Sequence, residues 1–190
     1  MITVGILTIS DAASRGQRVD TSGENIATLI SKLDVAINAR KVVPDEADQI
    51  ADTFKAWSDT QRLDLILSTG GTGLAPRDVT PEATRRIIDR EVPGLAELMR
   101  LESAKRNIHA ILSRGIVGVR GKTLIVNLPG SPKGVVEMLE IIMPVLPHAI
   151  QIMKGVQDDH TPPHAHDDDS QARHDHHKGH DHDHAHHRHQ

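Results

Sequence analysis

The hydrophobic positions of this chain fall into short apolar runs separated by stretches of helical periodicity. The run at 2–9 predicts a buried strand, and Leu65, Ile66 and Leu67 within 63–68 form a run too short for a helix and typical of a strand covered on both faces of a sheet. Residues 35–43 begin with alternating apolar positions and predict another strand. Between them, residues 26–33 and 50–57 repeat their apolar side chains at the spacing of one helical face. This β-α-β-α-β order predicts parallel strands joined by right-handed crossovers.

The second half of the chain continues the pattern with more breaks. A helix is predicted around 80–88, with Thr80 as its N-cap and Pro81 at its first position. Residues 116–119 and 123–126 indicate the two strands of a hairpin. We therefore predict the α/β fold class, in the form of a three-layer α/β/α sandwich with a mostly parallel central sheet.

The composition changes at about Val156. Residues 156–190 are mainly His and Asp and hold little that could form a core, so they predict a disordered tail after a folded domain at 1–155. The tail has 8 Asp against 3 Lys or Arg, a net charge of −5, which leaves +1 on the rest. A nearly neutral body argues against nucleic acid as a partner. Phe54 and Trp57 are the only aromatic residues, which leaves no platform for stacking bases.

Three features of the sequence bear on the cellular compartment: its cysteine content, its first residues and the length of its apolar runs. The chain has no cysteine, so a reducing environment is tolerated. Met1 leads directly into a predicted strand rather than into a signal peptide, and no apolar run is expected to approach membrane-spanning length. These observations predict a cytoplasmic protein without a membrane partner.

The most informative stretch is a glycine-rich loop between a strand and a helix, Thr69-Gly70-Gly71-Thr72-Gly73. Glycines let the backbone turn sharply and approach a ligand, and a strand, a glycine loop and a helix N-terminus together build an anion site. The loop lacks the ending of a Walker A motif, and Pro76 stands where the dinucleotide fingerprint needs its third glycine. Taken alone, the loop is equally consistent with a tight strand-to-helix turn that binds nothing.

Three predicted strands end at an aspartate or lead to one: Asp11, Asp45 and Asp78. Because parallel strands bring their carboxyl ends to one edge of the sheet, we expect these carboxylates to converge there. Carboxylates beside a loop rich in backbone N–H groups suit Mg²⁺ bound together with a nucleotide phosphate. The alternative is that each aspartate only caps a turn or a helix.

Several motifs, in order along the chain, resemble the signature of the molybdopterin adenylyltransferases, the family that includes the G domains of gephyrin. The most specific are Thr69-Gly-Gly-Thr-Gly73 and Arg77-Asp-Val-Thr-Pro-Glu82. The others are Ile9-Ser-Asp11, Val43-Pro-Asp-Glu46, Ala110-Ile-Leu-Ser-Arg114, Arg120-Gly-Lys-Thr-Leu124, Asn127-Leu-Pro-Gly-Ser131 and Leu146-Pro-His-Ala-Ile150. The resemblance extends from residue 1 to about residue 154.

The resemblance implies a homotrimer that transfers AMP from Mg-ATP to the terminal phosphate of molybdopterin, with pyrophosphate as the second product. It also implies hand-over of adenylyl-molybdopterin to a separate molybdate insertase. In the family the aspartates matching Asp45 and Asp78 are the critical pair, and we assign both to Mg²⁺ and to substrate orientation. The nucleotide- or pterin-binding residues predicted from the loops and from the resemblance are Ser10, Asp11, Thr69, Gly70, Gly71, Thr72, Gly73, Thr80, Ser103, Pro129, Gly130 and Ser131.

The tail carries 12 of the 14 histidines. Imidazole is a common ligand of Zn²⁺, Ni²⁺ and Cu²⁺, so the tail predicts transition-metal binding separate from catalysis. The candidate ligands are His174, His176, His177, His180, His182, His184, His186 and His187. A purification tag and a solubilising tail remain alternative interpretations.

Two other functions stay open for the whole chain. One is a non-catalytic, pterin-binding scaffold or carrier, although the presence of both Asp45 and Asp78 speaks against it. The other is a metal-storage protein that acts through its tail. The two histidines outside the tail, His109 and His148, are expected to be packing residues.

Overall fold

Six strands form one sheet in the computed structural model of the protein, which describes residues 1–155. They are β1 Ile2–Ile9, β2 Val35–Val43, β3 Leu65–Thr69, β4 Arg90–Glu91, β5 Val117–Arg120 and β6 Thr123–Leu128. The strand order is β2-β1-β3-β6-β5-β4; the first four strands are parallel, and β5 is antiparallel to both of its neighbours. The predicted mostly parallel sheet and the hairpin formed by β5 and β6 are confirmed.

Helices cover both faces of this sheet. The α-helices are α1 Asp11–Ser14, α2 Thr21–Ile30, α3 Ala47–Lys55, α4 Thr80–Arg85, α5 Pro93–Ala104, α6 Pro132–Ile142 and α7 Leu146–Lys154. A π-helical turn, Ala56–Thr60, extends α3, and 3₁₀ turns lie at Ile108–Leu112 and Met143–Val145.

The alternation of side chains along each central strand divides the core into two clusters. On one face, Val4 and Ile6 of β1 and Leu65 and Leu67 of β3 pack with the apolar sides of α2, α5, α6 and α7. On the other face, Ile66 packs with residues of α3 and α4. Successive residues of a strand point to opposite faces, so a continuous apolar run is required when both faces are covered. The predicted three-layer α/β/α sandwich is therefore confirmed.

One expectation about apolar runs is wrong. The helical stretch Pro132–Lys154 is 23 residues long with a mean hydropathy of 1.5, which is long and apolar enough for a membrane span by length and composition. Its apolar residues have another role, because Val135, Leu139 and Ile150 lie in the core beneath the sheet. The core helix of a globular domain commonly passes this test.

One helix start differs from prediction. α4 begins at Thr80, and the Thr80 hydroxyl does not cap it; Oγ1 instead donates to the Gly70 carbonyl at 2.8 Å. A tertiary contact thus takes the side chain that the local sequence assigns to the helix cap. The cap of α2 is Asp20, which accepts from the Gly23 N–H at 2.8 Å. Residues 156–190, with the predicted metal-binding histidines, lie outside the described residues.

The order in which the chain adds strands to the sheet reverses between β1 and β3. From β1 the chain passes first to β2 on one side and then returns to β3 on the other. In open α/β sheets, ligands bind in the crevice that such a switch leaves at the carboxyl ends of the strands. The glycine loop that follows β3 lies at this point.

Candidate active site

The glycine loop is folded tightly against its neighbours. Gly70 and Gly71 have φ of +103° and +63°, conformations that favour glycine. A Cβ on Gly70 would lie 2.1 Å from the Ile9 carbonyl oxygen, and one on Gly71 would lie 2.3 Å from Thr80 Oγ1. The loop therefore needs glycine at both positions, for conformation and for space.

A second loop, Leu128–Gly134, lies beside the first. The Gly70 N–H donates to the Leu128 carbonyl at 3.2 Å, and Thr69 Oγ1 donates to the Pro129 carbonyl at 2.7 Å. From α2, Ser22 Oγ donates to the Gly130 carbonyl at 2.9 Å. The glycine loop and this second loop thus form one structural unit at the carboxyl ends of the strands.

Two cavities lie on either side of this unit. The first cavity, of about 350 Å³, is lined by predicted site residues Ser10, Asp45, Thr69, Gly70, Gly71, Gly130 and Ser131. The second cavity, of about 580 Å³, is lined by predicted site residues Gly71, Thr72, Gly73, Asp78, Ser103, Pro129, Gly130 and Ser131. Gly71, Gly130 and Ser131 therefore line both cavities, with Asp45 on one side and Asp78 on the other. Such volumes are typical of small-molecule sites.

The wall shared by the cavities offers donors. Within residues 1–155, the backbone N–H groups of Gly71, Gly130 and Ser131 have no acceptor. Ser131 is also the N-cap of α6, an 11-residue helix whose N-terminus faces this wall. Free N–H groups and a helix N-terminus favour negatively charged groups such as phosphates.

Asp45 is held rigidly beside the loop. Its Oδ2 accepts from the Asp11 N–H at 2.8 Å, and its own N–H donates to Asp11 Oδ1 at 3.2 Å. Burial raises the pKa of Asp45, and the nearby negative charges of Asp11 and Asp78 raise it further, against the lowering effect of the Asp11 N–H. A half-buried carboxylate that is repelled by two others favours binding of a cation.

Asp11, predicted to bind a substrate, lines neither cavity. The Arg77 guanidinium donates to both of its carboxylate oxygens, with Nη2 at 2.9 Å from each, and also binds Glu46 Oε1 at 3.0 Å. Burial would raise the pKa of Asp11, but the bond from the Asp45 backbone and the pairing with Arg77 lower it. Asp11 therefore supports Asp45 from behind. Thr80, fully buried beneath the loop, also lines neither cavity.

Asp78 is fixed by its own turn, since its Oδ2 accepts from the Ala75 N–H at 2.9 Å. This leaves Oδ1 of Asp78 and Oδ1 of Asp45 without a hydrogen-bond donor in the described part of the chain. Among residues 1–155, no group of three or more His, Asp or Glu side chains could hold a metal by itself. Two carboxylates completed by substrate phosphates and water are the donor set that Mg²⁺ takes at phosphate sites, so the pair fits that ion.

Arg114 is a site residue that sequence reasoning missed. Its guanidinium donates to the carbonyl oxygens of Gly73 at 2.7 Å and Asp78 at 2.5 Å, and it pairs with Glu82 of α4. Its N–H donates to the Thr72 carbonyl at 2.9 Å. The hydrogen bond from Arg114 lowers the pKa of Glu82. One side chain thus connects the glycine loop, the Asp78 turn and α4; its only signal in the sequence is its place in the motif that ends at residue 114.

Other residues that line the second cavity are His109, Lys133 and the predicted site residue Ser103. His109, expected to be a packing residue, is exposed and lines this cavity, and His148, with the same expectation, is also exposed. Lys133 lines the cavity with its side chain 84% exposed. Ser103 is buried in the cavity wall, and its hydroxyl has no hydrogen-bond partner among residues 1–155. The Ser103 hydroxyl therefore has hydrogen-bonding capacity that the described residues do not use.

Gly71→Ala is expected to destabilise the fold more than Gly16→Ala. Both glycines have positive φ, but a Cβ at Gly16 meets nothing within 4 Å, whereas one at Gly71 collides with Thr80 Oγ1. Gly16→Ala should cost about 1 kcal/mol from backbone strain, and Gly71→Ala at least about 1 kcal/mol more. Urea denaturation measures both values. Equal values would show that the loop moves freely.

Comparison with known proteins agrees with this geometry. The family described as "Probable molybdopterin binding domain" matches residues 5–148. The molybdenum cofactor synthesis protein cinnamon of Drosophila melanogaster is 46% identical over 153 residues, which are 80% of this chain and 26% of that longer protein. The molybdopterin adenylyltransferase of Helicobacter pylori strain J99 is 42% identical over 156 residues, 81% of this chain and 89% of the relative.

Solved structures show the same relationship. The molybdopterin biosynthesis enzyme MoaB from Thermus thermophilus superimposes with a TM-score of 0.79 at 55% identity, covering 82% of this chain and 98% of that structure. The region matched by the family contains both loops and both aspartates of the candidate site. The chain therefore belongs to the molybdopterin-binding domain family that includes the molybdopterin adenylyltransferases.

Proposed function

We propose that this protein is a molybdopterin adenylyltransferase of molybdenum cofactor biosynthesis. It would transfer AMP from ATP to the terminal phosphate of molybdopterin, giving adenylyl-molybdopterin and pyrophosphate. The observation that carries the proposal is the pair of cavities that share one wall, with Asp45 beside the first and Asp78 beside the second. A transfer between two substrates needs two adjacent sites whose reacting groups meet.

The reaction requires positioning more than covalent participation by the protein. An oxygen of the molybdopterin phosphate attacks the α-phosphorus of ATP; a P–O bond forms, and the bond from that phosphorus to the pyrophosphate oxygen breaks. Placing the two phosphates in line accounts for much of the acceleration of such displacements. We assign this placement to the free N–H groups of Gly71, Gly130 and Ser131, which can bind the phosphoryl oxygens as charge redistributes.

Asp45 and Asp78 would hold Mg²⁺, since each keeps one carboxylate oxygen that receives no hydrogen bond from residues 1–155. When bound, the ion would neutralise phosphate charge and orient the triphosphate. Asp11 and Arg77 fix Asp45, and Arg114 fixes the turn that carries Asp78. The residues behind the two aspartates therefore keep both carboxylates in place before the ion binds.

The decisive experiment measures pyrophosphate release by the full chain. Release that requires ATP, Mg²⁺ and molybdopterin together is expected. A protein that binds molybdopterin without releasing pyrophosphate would be a scaffold or carrier instead. If neither binding nor release occurred, the metal-storage alternative would gain support.

Assembly is a separate part of the proposal. Leu98, Leu101, Ile108 and Ile111 are exposed apolar residues on α5 and the 3₁₀ turn packed against it. We assign this surface to contacts between copies in a homotrimer, because exposed apolar patches commonly mark interfaces. Light scattering should then give three times the chain mass of 20.8 kDa for the wild type and a lower mass for Leu101→Glu/Ile108→Glu. Ile152→Glu, an equally exposed position on α7, is the control.

The hand-over of adenylyl-molybdopterin to a separate molybdate insertase is likewise proposed. It is supported by the match to the Drosophila molybdenum cofactor synthesis protein, of which this chain covers only 26%. We place the reaction in the cytoplasm, where ATP is supplied.

The histidine-rich segment 156–190 suggests a second function. Twelve histidines within 35 residues would bind Zn²⁺, Ni²⁺ or Cu²⁺ independently of catalysis. Calorimetry on the full chain and on a truncation after Gly155 tests this. Equal Zn²⁺ and Ni²⁺ uptake by both proteins would refute it.

A further inference from the structure

A cavity of about 400 Å³ lies at the amino ends of the central strands, opposite the carboxyl ends that carry the candidate active site. We call it the rear cavity. It is formed where β3 and β6 begin, and Leu63, Asp64, Lys122 and Thr123 lie in its wall. The end of α7 contributes Lys154. None of these residues takes part in the proposed reaction.

The two carboxylates of the rear cavity are already neutralised. Asp59 receives two hydrogen bonds from the Arg120 guanidinium, at 2.9 and 2.6 Å, and these bonds lower its pKa. Asp64 pairs with Lys154 Nζ at 2.8 Å and accepts two bonds from Thr3. Burial would raise the pKa of Asp64, but the bonds from Lys154 and Thr3 lower it. Neither carboxylate needs a further cation.

The remaining charges in this wall are positive. Arg62 and Lys122 line the rear cavity, and neither forms an ion pair or a side-chain hydrogen bond with any of residues 1–155. A cavity whose acidic groups are satisfied and whose basic groups are free has a positive potential, and a concave wall strengthens it.

A buried hydroxyl provides an independent sign of a ligand. Ser58 is 8% exposed and lines the rear cavity, and its Oγ has no hydrogen-bond partner among the described residues. Leaving such a group unpaired costs free energy, and an unpaired group in a native structure calls for an explanation such as an absent ion or ligand. Ser58 lies in the π-helical turn Ala56–Thr60, a kind of turn that is frequent at functional sites.

The segment that follows has an unusual backbone. Arg62 has φ of +53° and is the only residue other than glycine with positive φ in the part of the chain that the structure describes. Such a conformation costs about 1–3 kcal/mol and persists only where surrounding structure imposes it. Arg62 follows the π-helical turn by two residues and lines the rear cavity together with Ser58.

We propose that the rear cavity is a second anion site, which binds a phosphate-bearing small molecule through Arg62, Lys122 and the Ser58 hydroxyl. Arginine and lysine are the side chains that recognise phosphate, and the hydroxyl supplies a neutral donor. The volume lies in the range of small-molecule sites and exceeds the need of a bare ion, which favours an esterified phosphate over inorganic phosphate. The site is independent of the proposed adenylyl transfer.

Amide-resolved NMR of the full chain, titrated with inorganic phosphate and with ribose 5-phosphate at pH 8, tests this proposal. Histidine is largely neutral at that pH, so the tail contributes little phosphate binding. Saturable shifts are expected at amides of 58–64 and 121–123, with tighter binding of the ester. Shifts confined to 70–73 and 130–131, or shifts that never saturate, would overturn it.

Variants separate the site from general surface charge. Arg62→Gln/Lys122→Gln should weaken binding by about tenfold or more, because two charge-assisted contacts are lost. Lys32→Gln/Arg106→Gln removes the same charge from exposed positions elsewhere and should leave the affinity unchanged. Ser58→Ala should weaken binding without lowering the melting temperature, since its hydroxyl has no partner in the described fold. If the double variant at 62 and 122 bound as tightly as the wild type, the assignment would be wrong.

Discussion

Asp45→Asn is expected to reduce the rate of adenylyl transfer by about 10²–10³-fold, the usual effect of losing one electrostatic contact in a transition state. The variant keeps the fold, because asparagine Oδ1 can still accept from the Asp11 N–H. It loses the negative charge that would hold Mg²⁺. Initial rates of pyrophosphate release at saturating ATP and molybdopterin provide the measurement.

The same substitution is expected to stabilise the metal-free protein at neutral pH. Burial and repulsion raise the pKa of Asp45 above its value in the unfolded chain. A carboxyl group with a raised pKa favours folding most when it is protonated, and this contribution is lost as the pH rises through the raised pKa. Asparagine stays neutral throughout. The gain in melting temperature over the wild type, measured in EDTA, should therefore be larger at pH 7 than near pH 4.

Asp78→Asn is compared with Asp45→Asn in the same two measurements, pyrophosphate release and melting temperature. It should reduce pyrophosphate release to a similar extent, because Asp78 is the other proposed ligand of Mg²⁺. Activity near that of the wild type in either variant would remove that residue from the mechanism. A loss of activity accompanied by a large fall in melting temperature would indicate a structural role instead.

Arg114→Ala is expected to lower kcat by about 10²-fold, the cost of a misplacement of about 1 Å in a site that works by positioning. Without the guanidinium, the carbonyl oxygens of Gly73 and Asp78 lose their common donor, and the turn carrying Asp78 is free to shift. Arg114 lines neither cavity, so KM for ATP should change much less than kcat. Steady-state kinetics separate the two constants.

Two further variants show whether the effect is local. Arg114→Lys should recover part of kcat, because an ammonium group can replace one of the lost hydrogen bonds but not the fork. Arg86→Ala is the matched control. Arg86 is the C-cap of α4 and pairs with the exposed Asp48, so its loss should leave kcat unchanged. An equal loss of activity in Arg114→Ala and Arg86→Ala would contradict the positioning role.

The sequence predicted the parts of the site that depend on local pattern. The strand ends, the glycine loop and the aspartates at 45 and 78 follow from apolar periodicity, backbone freedom and the geometry of parallel sheets. The resemblance to a family then assigned the reaction, which the loop alone could not do. The two-residue strand β4 was missed, because Arg90–Glu91 has no apolar pattern and exists only by pairing with β5.

The contacts that sequence reasoning did not anticipate are those made with distant partners. Asp11 was predicted to bind a substrate, and its carboxylate is paired with Arg77, 66 positions along the chain. Thr80 was predicted to cap a helix, but the carbonyl of Gly70 accepts the hydrogen bond from its hydroxyl. Arg114 received no role because the acceptors of its guanidinium are 32 to 41 residues away. Local sequence holds no information about such contacts until the fold is known.

The bond between Ser22 and the Gly130 carbonyl has a consequence for folding. It spans 108 positions, and the Asp11–Asp45 and Arg114–Gly73 contacts also join distant parts of the chain. Contacts of high sequence separation form late, because closing long loops costs entropy before any contact compensates for it. Neither half of the domain contains a complete site. Recovery of activity during refolding should therefore follow the slowest structural step, and it should lag behind the return of secondary structure.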